Sequence, residues 1–169
     1  MKNGLDDMVV AETRLVHIDG SQGHLFLRGI PLEQLAGDMS FENMLQFLWQ
    51  DFCSDSVEEI SHLLSKARQI SFAQVQPLLS LAAKKPVIEG LRLSLSGLQE
   101  HSDIPSSYLL TGAFPVILAN LIRLQEGQKI IPPSPQMPHV TDFLRMWQGK
   151  IPQESEIKAL TTYLTTVAE

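Results

Sequence analysis

Five histidines, one cysteine and a few adjacent carboxylates are the groups in this 169-residue chain whose types could do chemistry. His17, His24, His62, His101 and His139 are scattered. No two stand four apart, as two ligands on one helical face would, and none belongs to a His-Glu-x-x-His arrangement, so the spacing gives no zinc site. His17 reads as a half-buried side chain of a hairpin. His139 follows Pro138 and precedes a helical stretch, where a polar residue usually satisfies backbone groups; capping or packing is its expected work. Cys53 lies in Phe52-Cys53-Ser54-Asp55 with no basic neighbour to favour the thiolate, and reads as a packed thiol rather than a nucleophile. A single cysteine forms no internal disulfide and no Cys-rich zinc site, and it fits a reducing cytoplasm.

The remaining candidates are equally plain. Glu58-Glu59 and Asp6-Asp7 read as a solvated face and a terminus, because paired acid–base catalysis needs a shared cleft. Gly20-Ser21-Gln22-Gly23 reads as a turn, since no helix opens directly after it to cradle a phosphate. Arg28, Arg92, Arg123 and Arg145 read as partners for acids or helix ends. No catalytic, cofactor-binding or metal-ligating residue is assigned from the sequence, and no cofactor.

These groups hang on a mostly helical frame. Leu15, His17 and Ile18 lead into Asp19-Gly20-Ser21-Gln22-Gly23, and Leu25-Phe26-Leu27-Arg28 resumes before Gly29, which predicts a β-hairpin over about 13–29. Pro31 suits the first position of a short helix over 32–36, closed by Gly37. Ser40 caps a helix over 41–49, whose Phe41, Met44, Leu45 and Leu48 form an apolar stripe; Asn43 stands where a capping-box Glu would. A helix from Asp55 or Ser56 uses Val57, Ile60, Leu63, Leu64 and Ala67. Ser71 opens another, with Pro77 in its first turns and Pro86 enforcing the stop. Further helices are expected over 87–98, 108–126 and 139–147, and from Pro152 or Gln153 to Glu169. Gly90 and Gly97 weaken the first of these unless a neighbour packs closely, and Pro115 should kink the second. Residues 129–138, with four prolines, form a stiff irregular crossing.

Composition agrees with one globular domain spanning 1–169. The chain is 44% hydrophobic and 19% charged, with a net charge of −6. That balance excludes a disordered chain and argues against nucleic-acid binding or a polybasic membrane segment. The most apolar run, 108–124, carries Gly112, Pro115, Asn120 and Arg123, and reads as a buried helix too short and too polar to span a membrane.

Taken in order, these features resemble a known family. Glu12-Thr13, Ile18-Asp19-Gly20, Gly23 and Arg28-Gly29 look like the opening hairpin of citrate synthases and 2-methylcitrate synthases. Leu32 to Ala36 and Ser40-Phe41-Glu42 look like that family's next two helix starts. Ile131 to Pro135, His139, Phe143-Leu144, Met146 and Gly149 look like its proline crossing and the helix after it. His24, Leu27 and Pro86-Val87 depart from the usual basic residue, tyrosine and Met-Asp. The resemblance covers nearly the whole chain and is to the N-terminal part of the family's large domain, so it implies a mainly all-α, multi-helical fragment with a small N-terminal hairpin.

It also implies an activity for a complete enzyme: condensation of acetyl-CoA or propionyl-CoA with oxaloacetate, a tricarboxylic acid cycle reaction in the first case. The family carries that chemistry in a Gly-Pro-Leu-His-Gly loop, a Gly-x-Gly-His segment and an Asn-Val-Asp segment. None of these occurs in this sequence. The family's oxaloacetate-binding His is expected one residue after Glu169. This chain alone is therefore expected to be inactive. The alternative is a non-catalytic helical scaffold that pairs with a full-length synthase or a separate C-terminal half. The resemblance further implies a homodimer through helices about 107–126 and 153–169.

Overall fold

The computed structural model describes residues 13–37 and 39–168. Asp6, Asp7, Glu12 and Glu169, each invoked above, lie outside the described residues.

The hairpin forms as expected. β1 (Val16–Asp19) pairs antiparallel with β2 (His24–Leu27), in the register Val16 to Leu27 and Asp19 to His24. The Asp19 carboxylate holds the loop by accepting from the Ser21 and Gln22 amides at 3.0 and 3.1 Å and from the Ser21 hydroxyl. Those bonds, the Ser21 hydroxyl foremost, lower its pKa. A third strand was not expected: β3 (Ile30–Pro31) pairs with β2. Its turn is Arg28-Gly29, both at positive φ (49° and 82°), the geometry that matches strand twist in a two-residue connection. Pro31 is thus paired with Phe26, and it flanks α1 (Leu32–Leu35) rather than opening it. The sheet is pinned to the body by Arg28, which pairs with Asp51 and donates to the Leu48 carbonyl.

Seven helices follow among the described residues. α2 (Phe41–Trp49) starts on Ser40, whose hydroxyl accepts from the Asn43 amide at 3.1 Å, with no reciprocal bond, as its sequence predicts. α3 (Val57–Ala82) starts on a full capping box between Ser56 and Glu59. It runs unbroken through Ser71, where the sequence suggested a new helix. The Ser71 hydroxyl is buried and donates to the Arg68 carbonyl inside the helix, so it caps nothing. Pro77 sits within α3 but on its exposed side, where water can serve the backbone carbonyl the ring leaves free.

α5 (Ser106–Gln125) is the central element, packed on α3, on α4 (Val87–Leu95) and on α6 (His139–Gln148). Close approach requires glycine at two places. A Cβ on Gly112 would lie 2.8 Å from the Ala67 Cβ, and one on Gly90 would lie 2.6 Å from the Ala82 carbonyl oxygen. Gly90 thereby has the close neighbour its helix needs. By length and hydropathy (1.4 over an 18-residue window) α5 could cross a membrane, which corrects the sequence reading of this run as too short and too polar; 56% of that window is buried among the other helices. Ile117, Leu121 and Ala113 of α5 form a core with Val75 and Leu79 of α3. α7 (Glu154–Thr166) starts on a box between Gln153 and Glu156 and lies against α6 and α2. It stops at Thr166, short of the expected end.

Candidate functional site

The densest polar chemistry lies where α3, α6, α2 and the proline crossing meet. Arg68 of α3 is 1% exposed, and four groups converge on it. Its Nε donates to Asp142 Oδ2 at 3.0 Å, its Nη2 to the Met137 carbonyl at 2.7 Å and the Ser134 carbonyl at 3.4 Å, and its Nη1 to His139 Nδ1 at 3.2 Å. Asp142 is fully buried. It also accepts from the Ser134 amide and from Arg145, which in turn donates to the Pro132 carbonyl. The buried Glu42 of α2 accepts from the His139 amide at 2.9 Å. Ser65, Asn120 and Arg123 complete the clamp on the crossing by donating to Pro135, Ile131 and Lys129 carbonyls.

This is a clamp of the kind a buried ion pair needs, with nearly every donor and acceptor spoken for. A crossing rich in proline cannot satisfy its own carbonyls by a regular ladder, and side chains from three helices do it instead. Burial pulls the Arg68 pKa below its usual range, and Asp142 opposes that shift.

His139 also faces a cavity. Its ring stacks on Phe41 (centroids 4.6 Å apart, 7° between planes). Burial, followed by the charge of Arg68, lowers its pKa to about 3, so it is neutral at ordinary pH. Beyond it opens an apolar groove of about 440 Å³ between α5, α6 and α7. Packing, expected for His139, is what the structure shows; it caps no helix by its side chain.

The other sequence candidates stay apart. His17 and His24 are exposed and flank Phe26 on the sheet; His17 was expected half-buried. His62 is exposed on α3, and His101 accepts from the Asp103 amide. Cys53 is half-buried, its sulfur 4.0 Å from the Tyr108 hydroxyl, which donates to Asp55 at 2.7 Å. Burial and that bond push the Tyr108 phenol above its usual range. Glu58 and Glu59 are exposed. Arg28, Arg123 and Arg145 pair with acids or carbonyls as expected; Arg123 closes α6 on the Trp147 carbonyl at 3.0 Å. Among the described residues no group of three His, Cys, Asp or Glu could hold a metal ion.

Sequence reasoning missed Arg68 and Asp142. The signal was there for Arg68: it falls among Ile60, Leu64, Ala67, Ser71 and Val75, on the buried stripe of α3. A lone cation on such a stripe demands a buried acid.

The order of these elements is matched by a known family. The model described as "Citrate synthase, C-terminal domain" matches residues 4–169. The chain belongs to the citrate synthase family. It is similar to the citrate synthase of Haloferax volcanii, 27% identical over 91% of this chain and 45% of that protein. It is similar to the citrate/2-methylcitrate synthase of Bacillus subtilis, 24% identical over 98% of this chain and 48% of that one. The citrate synthase structure from Thermotoga maritima superposes over 100% of this chain and 47% of its own, with a TM-score of 0.82 and 27% identity. The mainly helical fold with a small sheet is therefore that of citrate synthases. The chain spans about half the length of the curated relatives it matches.

Proposed function

We propose that this chain supplies the N-terminal part of the large domain of an enzyme that condenses an acyl-CoA with oxaloacetate, forming citrate from acetyl-CoA or the methyl analogue from propionyl-CoA. One observation carries the reading: the family match runs from residue 4 to residue 169, while the three family motifs that hold the reacting groups are absent from the sequence. In this reading acyl-CoA and oxaloacetate are ligands of a complete enzyme only, and the chain itself is scaffold. The clamp around Arg68 is consistent with that, because its groups are committed to one another and to backbone. The single half-buried thiol is compatible with a reducing cytoplasm.

The test is a thiol-release assay with acetyl-CoA and oxaloacetate. The isolated chain is expected to give no release above background; turnover by it would overturn the proposal.

A second reading, a non-catalytic scaffold that pairs with another chain, is favoured by one specific feature. Leu110 and Phe114 of α5 are 48% and 47% exposed, and Tyr163 and Val167 at the end of α7 are 60% and 49% exposed. Apolar side chains exposed together mark contact surfaces. They lie on the two helices through which a homodimer is proposed, and a full-length synthase or a separate C-terminal half would meet the same face.

A further inference from the structure

We draw no further inference here: the strongest candidate, the cleft of about 470 Å³ beside Cys53 between α2 and the start of α3, rests on a lone thiol whose neighbours Gln46, Asp55 and Tyr108 are already joined by hydrogen bonds through Asp55, and nothing in the structure points to a ligand there.

Discussion

Arg68 and Asp142, 74 residues apart in sequence, lie 3.0 Å apart in a place that water does not reach. The pair joins α3 to α6, and its spare hydrogen-bonding capacity closes on the crossing between α5 and α6. Removing one member leaves the other charged and buried, a cost of about 3–5 kcal/mol. Arg68→Met and Asp142→Asn are each expected to lower stability by about that much. The double variant should lose less than the sum by at least about 1.5 kcal/mol. Urea unfolding of the four proteins measures this, and additive losses would refute the coupling.

The neutral His139 makes stability depend on pH. Its pKa is 6.5 when free and about 3 in the fold. The unfolded chain therefore binds the extra proton between these values, and the stability this residue retains at pH 7 is lost as pH falls through 6.5 towards 3. The groups facing it are Arg68 from α3, Glu42 from α2 and Asp142 on its own helix. Between pH 7 and 5 the expected loss is on the order of 2 kcal/mol. Carboxylates whose pKa the fold lowers, such as Asp19 and Glu59, start from ordinary values of 3.8 and 4.5 and lose their contributions below this window. Urea midpoints across the window measure the slope, and His139→Gln should flatten it.

Gly112 sets the distance between α3 and α5. An alanine would place its Cβ 2.8 Å from the Ala67 Cβ and 2.9 Å from the Arg68 amide nitrogen. Overpacking of this kind costs about 1–3 kcal/mol, more than the helix propensity that alanine gains, about 1 kcal/mol. Gly112→Ala is expected to be destabilising in thermal unfolding. Gly20→Ala, which meets nothing within 4 Å and has no positive φ, should change stability by less than about 0.5 kcal/mol.

Pairing through α5 and α7 predicts a dimer at micromolar concentration. Light scattering reads the mass. Phe114→Asp and Tyr163→Asp, both on exposed rims, are expected to give a folded monomer. A parent chain that is already a monomer would remove the pairing.

Local signals carried much of this fold. Ser40, Gly149 at φ 76° and Gly127 at φ 72° end or begin helices where side-chain and backbone chemistry require it. Asp19 with Gly23 did the same for the hairpin. What failed was competition between local and distant partners. Ser71 looked like a cap, yet it falls on the buried face of α3, where its hydroxyl donates to the Arg68 carbonyl. Pro31 looked like a helix start, yet the Arg28-Gly29 turn delivered it to β2. The candidate site was legible at His139, as packing, and at Arg123 and Arg145, as partners for acids or helix ends. The partners of His139 come from residues 42, 68 and 142, whose meeting depends on how α2, α3 and α6 assemble, and no local pattern encodes that.

The crossing over 129–138 is fastened mostly by side chains: Arg123, Asn120, Ser65, Arg68 and Arg145 hold its carbonyls, and Asn120 and Asp142 hold its amides, while the Pro138 carbonyl accepts from the Asp142 amide. Opening it breaks no helix and no strand. Yet parting α6 from α3 and α5 would also break the buried Arg68–Asp142 pair and the core of Val116, Ala119 and Met146, so the crossing opens only together with them. Hydrogen exchange is then expected to protect the amides of the crossing along with α3, α5 and α6, although they belong to no helix and no strand.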